Sequence, residues 1–260
     1  AVLAGMVTWL VWIVRCKPVR VWPALASLYV LAVALHLSLA SLPNGAWTGE
    51  GRQGSLLSSW QAHTTMLYTV PHIRGSHDYL RRFLEIQPRL RATIHGLSHP
   101  PGASLSLYWI GNALGAKGMD IRRPEVRLRY AIGLTLFGAL NVVILFLLAR
   151  SLFDTQTGFL AALLWASAPS VSAYATFAQD TLYAVFFNLA LLLAWHTVVS
   201  ERRTIGFALG LGATFFALTL LNYSWCIMTS IFSVFALAMG RRTRWPLKAY
   251  ALRAGLPLAT

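Results

Sequence analysis

Acidic residues are scarce: the 260-residue chain carries 8 Asp and Glu against 22 Lys and Arg, and charged side chains make up only 12% of it. A soluble globular domain uses about twice that charged fraction to clothe its surface, so soluble folding is not expected. Cysteine is almost absent. Cys16 and Cys226 adjoin or lie in apolar segments, with no CxxC or metal-type spacing, so a disulfide framework is not read and the redox compartment stays open. An HExxH pattern is missing too, which leaves a zinc hydrolase unsupported. The bases are divided among apolar runs instead of forming one face, so nucleic acid is not a partner.

What remains is apolar. Hydrophobic residues make up 57% of the chain, which also holds ten tryptophans. Spread over several long runs, this predicts an all-α, polytopic transmembrane helix bundle, a single domain over residues 1–260. Residues 2–14 read as the end of a span or of a signal anchor, and 22–42 as a full span. Residues 128–149, 158–177 (bent at Pro169), 182–199 and a hairpin over 205–239 turning near Asn222 follow. Residue 1 is not Met and residue 260 falls inside an apolar run, so the chain is expected to be a fragment.

Between the first full span and the next lies a long polar loop, residues 43–127. Loops of that size in ordered proteins are usually functional. It is expected to carry two juxtamembrane helices, about 76–95 and 101–116. In the first, Ser76 is the expected cap and Tyr79, Leu80, Phe83 and Leu84 share a face, as in a helix lying in the interface. The second opens on Pro100-Pro101-Gly102, and paired prolines suit a first turn whose N–H groups are unpaired anyway. Its apolar part runs ~15 residues against the ~20 a bilayer requires, so it is read as resting at the membrane surface. A helix start facing water attracts anions such as phosphate.

Charge sets the orientation. With the basic turn Arg15, Lys17, Arg20 in the cytoplasm and the short helix not counted as a crossing, Arg150, Arg202–Arg203 and Arg241–Lys248 all fall inside. The turns at Asp180 and Asn222 fall outside, without a Lys or Arg. The chain is thus read as multi-pass in a bacterial-type inner or plasma membrane, active face outward. The outer loop has eleven bases from Arg52 to Arg129, either for lipid headgroups or for an anionic substrate. Asn222-Tyr223-Ser224 matches a glycosylation acceptor but sits in a tight membrane turn, and is discounted.

An ordered set of motifs carries a family resemblance. The long outer loop ends in His99-Pro100-Pro101-Gly102; a span then finishes in Leu147-Leu148-Ala149-Arg150-Ser151-Leu152-Phe153; the next carries Ala168-Pro169-Ser170 and closes at Ala178-Gln179-Asp180, with Leu182 opening its successor. This order, over residues 95–199, resembles membrane glycosyltransferases of the GT-C class. The nearest group is the polyprenyl-phosphate-sugar-dependent one, which includes protein O-mannosyltransferases and lipid A aminoarabinose transferases. The resemblance implies a donor sugar on a lipid phosphate, an acceptor that is lipid, glycan or protein, and inverting transfer outside the cytoplasm. It also implies an acid in the first outer loop and often another at the second outer turn.

Asp180 stands at that second turn and is the only acid between residues 158 and 199. A carboxylate beside the membrane is costly unless used or paired, and the competing role is an N-cap. In the first loop the acid expected about 30 residues before the prolines by the resemblance is replaced by Tyr68-Thr69-Val70-Pro71-His72. Glu50 and Asp78 are the remaining catalytic candidates, against a plain loop residue and a helix-dipole partner. His99, His95, Arg81, Arg82, Pro101 and Gly102 are candidate substrate contacts. Arginine's fork matches phosphate oxygens, while histidine packing and headgroup contact are the bland alternatives. The residues name no definite cofactor; by the resemblance, a divalent cation bridging donor phosphate and acid is an option, as some relatives use one. The leading function is therefore an inverting glycosyltransferase. The alternatives are a non-catalytic GT-C-fold protein that binds lipid phosphates and a transporter, and the nearly uncharged spans disfavour the latter.

Overall fold

The computed structural model describes residues 4–5, 8–9, 12, 21–41, 65–86, 100–116, 118–120, 123–168, 180–200, 204–222, 225–243 and 245–259. Among them every regular element is helical: α1 (Val21–Ala40), a 3₁₀ segment (Thr65–His72), α2 (Ser76–Ile86), α3 (Pro101–Ala113), α4 (Pro124–Gly138), α5 (Leu140–Leu152), α6 (Thr155–Ser167), α7 (Asp180–Val199), α8 (Thr204–Leu221), α9 (Trp225–Thr243), and α10 (Leu247–Tyr250), which runs through a π turn (Ala251–Gly255) into α11 (Leu256–Ala259). The bundle is all-α, as its composition requires. Among the described residues four stretches are long and apolar enough to cross a membrane: Val21–Ala40, Pro124–Leu152, Asp180–Val199 and Thr204–Leu221.

The described chain divides into two compact units, the first made of Ala1–Ser98 and Ser104–Val185, the second of His99–Ala103 and Phe186–Thr260. In the first, Ala24, Leu25, Leu28, Ala32 and Leu35 of α1 pack against Val142 and Phe146 of α5 and Phe159, Ala162 and Ala166 of α6. Phe146 and Phe159 meet at 4.7 Å between ring centroids. Such a core is tight because α5 and α6 form an antiparallel hairpin through Phe153 and Asp154. Asp154 caps α6, its carboxylate accepting the Thr157 N–H at 2.8 Å.

Two spans differ from the sequence pattern. The segment expected over 128–149 begins at Pro124 and breaks at Ala139, which separates α4 from α5. Near the break the Tyr29 hydroxyl of α1 donates to the Leu136 carbonyl at 2.7 Å; a side chain entering the backbone ladder is a recognised cause of such a break. In the segment expected over 158–177 the helix ends at Ser167, where Ala168 turns extended at ψ 123°, and residues 169–177 lie outside the described residues. The residue before a proline avoids the helical region, so Pro169 ends α6 where a bend was expected. His36 of α1, fully buried, sits 3.1 Å from the Ala166 carbonyl at that helix end.

The second unit is centred on Ala190 and Ala194 of α7, Leu211, Phe215 and Leu218 of α8, and Phe232 and Ala236 of α9. The two helices expected over 205–239 are present as α8 and α9, of which α8 is long and apolar enough to cross a membrane. Arg253 in the π turn donates to the Val198 carbonyl at 2.6 Å and to Ser200 at 3.3 Å. A guanidinium there satisfies orphan carbonyls and complements the negative helix end.

Candidate active site

The helices of the long loop meet in the first unit through hydroxyl groups and rings. Thr69 donates to Ser104 of α3 at 2.7 Å, and both side chains hydrogen-bond with Tyr79 of α2. All three residues are buried, so the polar groups satisfy one another inside an apolar contact. Burial pushes the Tyr79 hydroxyl up, and its two hydrogen bonds only partly oppose that shift. Further out, Trp109 Nε1 donates to Ser76 Oγ at 2.9 Å, and the Tyr108 hydroxyl to the Arg74 carbonyl at 3.5 Å.

These contacts revise the expected amphipathic face. Of Tyr79, Leu80, Phe83 and Leu84, only Tyr79 and Phe83 turn inward, their rings 5.7 Å apart; Leu80 and Leu84 are exposed. Ser76, the expected cap, lies inside the first turn and serves Trp109 instead. The described part of the helix ends at Ile86, with residues 87–95 outside the described set.

Helix α3 is shorter than the expected 101–116 and far more buried than a helix resting on a surface. Gly102, Ala103, Ser104, Leu105, Leu107, Tyr108 and Gly111 are all buried. It ends in a Schellman motif: Ala116 N–H bonds to Gly111 at 2.7 Å and Gly115 N–H to Asn112 at 3.3 Å, with Gly115 at φ 64°. Arg129 then donates to the Leu114 and Gly115 carbonyls at 3.0 and 2.7 Å. One base of the cluster between α3 and α4 is therefore a helix cap, a role its sequence neighbours do not announce.

Pro101 opens α3, as the paired prolines predict. In the second unit, a Cβ on Gly102 would lie 2.5 Å from the Leu220 carbonyl oxygen and 2.7 Å from its carbon. The glycine of the His-Pro-Pro-Gly run is required by close backbone packing. Asp78 lies in the first turn of α2 and pairs with Arg82 at 3.9 Å; Arg82 also reaches Glu85 at 3.3 Å. These groups are 42–65% exposed, where such pairs contribute at most about 1 kcal/mol. Arg81 is exposed and forms no ion pair among the described residues. Asp180 is the first residue of α7, exposed, likewise without an ion pair among the described residues. Glu50, His95 and His99 lie outside the described residues. The structure thus joins Asp78 to Arg82 within one helix turn, and no contact among the described residues ties Asp180 to them. Among the described residues no three His, Cys, Asp or Glu side chains come together as a metal site.

The sequence profile for dolichyl-phosphate-mannose-protein mannosyltransferases matches residues 99–259. That match opens at the histidine of His-Pro-Pro-Gly and runs through α3 to α11. It includes His99, Pro101, Gly102 and Asp180, and leaves Glu50, Asp78, Arg81, Arg82 and His95 outside. No curated protein and no solved structure matches the chain.

Proposed function

The chain belongs to the dolichyl-phosphate-mannose-protein mannosyltransferase family, and we propose that it moves a sugar from a polyprenyl-phosphate donor to an acceptor on the outer face of the membrane, with inversion. Membership makes it a membrane glycosyltransferase of the GT-C type. The reading beyond that coarse activity rests on Asp180, an exposed carboxylate without an ion pair among the described residues, at the start of a span and inside the matched region.

In the proposed step the acceptor hydroxyl gives its proton to a carboxylate as its oxygen attacks the anomeric carbon. The bond from that carbon to the phosphate oxygen breaks on the opposite face, and the lipid phosphate leaves with the electron pair. Asp180 is the base we favour, because among the described residues it forms no ion pair, whereas Asp78 does. Asp78 is already neutralised in part by Arg82, so its role is secondary, and Glu50 remains a candidate by position in the sequence alone. The phosphate charge would be met by His99, His95 or Arg81 and by the start of α3 beyond Pro101. Acceptors of the lipid, glycan and protein classes all fit this chemistry, and no step runs through a metal or other cofactor.

The test is transfer by the full chain in liposomes containing radiolabelled polyprenyl-phosphate mannose, with product anomers read by NMR. Asp180→Asn should lower turnover by about 10²–10⁴, the usual contribution of a general base, while leaving donor binding intact. Wild-type turnover in Asp180→Asn, Glu50→Gln and Asp78→Asn alike would refute the site. Donor binding with no transfer by the wild type would instead favour the lipid-phosphate binder.

A further inference from the structure

The helices of the long loop are tied to one another and to one half of a span, while the other half of that span belongs to a different core. Thr69 of the 3₁₀ segment and Tyr79 of α2 hydrogen-bond with Ser104 of α3, and Trp109 Nε1 of α3 donates to Ser76 Oγ of α2. Helix α3 in turn is fixed to α4. Gly111 lies against the Tyr130 hydroxyl and Gly133 against Ile110, each too close to admit a Cβ. Arg129 bonds to the Leu114 and Gly115 carbonyls. Every α4 residue in these contacts precedes Ala139. Beyond it, Val142 and Phe146 of α5 join the core formed with α1 and α6, and no described residue of α4 belongs to that core.

Ala139 is where the two bodies meet. It stands between the 15 residues of α4 and the 13 of α5, within the candidate span Pro124–Leu152. The Val142 N–H bonds to the Ala139 carbonyl at 2.9 Å, so the ladder tightens there from four residues to three. On the α4 side, the Leu136 carbonyl is the one an unbroken helix would bond to the Leu140 N–H. Here it accepts the Tyr29 hydroxyl of α1 at 2.7 Å. Tyr29 follows Leu28, which is fully buried in the α1–α5–α6 core. Gly138 sits beside the break, a residue with no Cβ to oppose a change of angle.

We propose that the 3₁₀ segment, α2, α3 and α4 move as one lid on a hinge at Ala139, with the Tyr29–Leu136 hydrogen bond as the latch that holds it to the core. Hinges between rigid bodies are a few residues at element ends that absorb the change in φ and ψ. In apolar surroundings a carbonyl released from the ladder needs another donor, and Tyr29 supplies it only in the latched position. The lid carries Asp78, Arg81 and Arg82 on α2, so the latch sets how far these charges stand from the core. The inference does not depend on the transferase reading, and it is measured without donor or acceptor.

Paired spin labels decide it. In a Cys16→Ser, Cys226→Ser background, two forms of the full chain are labelled and reconstituted in liposomes. One carries Leu84→Cys and Leu128→Cys, both on the lid; the other carries Leu84→Cys and Leu164→Cys, which spans the hinge from lid to α6. All three leucines are exposed, so the labels disturb no core contact. Distances are read by pulsed electron paramagnetic resonance. Tyr29→Phe keeps the ring and removes the latch. Loss of one hydrogen bond should change the ratio of latched to swung lid about fivefold. The 84–164 distribution should then shift or broaden while the 84–128 distribution stays as it was. An unchanged 84–164 distribution in Tyr29→Phe would overturn the proposal. So would an equal broadening of the 84–128 pair, because the long-loop helices would then not move as one body.

Discussion

Arg129 closes the end of α3 by donating to the Gly115 carbonyl at 2.7 Å, two residues past the helix's last residue. The same guanidinium nitrogen serves Leu114 at 3.0 Å. A base from the start of α4 thereby fixes where α3 stops and how the chain turns between them. Arg129→Met should keep the stem's packing and lose both bonds, a loss of about 1–2 kcal/mol for charged hydrogen bonds at a partly exposed site. Unfolding of the purified variant in a denaturing detergent series would read it, and Arg129→Lys should recover only part, because lysine lacks the planar fork.

Gly102 and Leu220 approach backbone to backbone, and this makes a sharper prediction than a ligand contact would. In Gly102→Ala the new methyl meets carbonyl atoms at 2.5 and 2.7 Å, so the clash falls on groups no side-chain change removes. The expected cost is about 1–3 kcal/mol for overpacking, read as a lower melting temperature in detergent. Leu220→Ala added to it should not restore stability. Were the double variant to recover fully, the Leu220 side chain and not its backbone would be the obstacle.

Much of the architecture was readable because apolar run length and basic connectors speak directly about spans; Val21–Ala40 and Asp180–Val199 fall within two residues of the pattern. The break at Ala139 was not readable: Gly138 stands beside it, but a lone Gly within an apolar helical run is tolerated, and the Tyr29 hydroxyl that reaches Leu136 comes from more than a hundred positions away. The inward face of α2 was half readable. Periodicity grouped Tyr79, Leu80, Phe83 and Leu84, but choosing among them took knowledge of where Ser104 and Thr69 would offer hydroxyl partners. The same holds for Arg129, whose value as a cap depends on a neighbour's helix end. At the candidate site, composition pointed to Asp180 by its isolation, while Asp78 stood as a second candidate whose pairing with Arg82 at 3.9 Å only the structure shows.

Asp154 gives a pH dependence with a definite sign. Hydrogen bonds from Thr157, backbone first, hold its carboxyl below the ordinary value. A group whose folded pKa is depressed lends stability above its unfolded pKa and loses it as pH falls through the folded one. The start of α6 should therefore hold at neutral pH and loosen only in acid, below the ordinary carboxylate range. Hydrogen exchange of the Thr157 and Gly158 amides across an acid series would follow it. Asp154→Asn should flatten that dependence while keeping most of the neutral-pH protection, since asparagine caps as well as aspartate; an unchanged acid response in Asp154→Asn would assign it to another group.

The buried hydroxyls of Thr69, Tyr79 and Ser104 bind the 3₁₀ segment and α2 to α3, so their removal should be non-additive. Ser104→Ala takes away the acceptor of Thr69 and a partner of Tyr79 at once, leaving two buried polar groups short of a bond at about 1–3 kcal/mol each. Tyr79→Phe removes one member and keeps the ring against Phe83, so its cost should be nearer the roughly 1 kcal/mol of a single bond. The double variant should then cost less than the sum, because Tyr79→Phe has already removed a group that Ser104→Ala would strand. Detergent unfolding of the four chains in the cycle measures the coupling directly. Strict additivity would mean that Tyr79 and Ser104 act apart, and that α2 is held to α3 by the Trp109–Ser76 contact and ring packing instead.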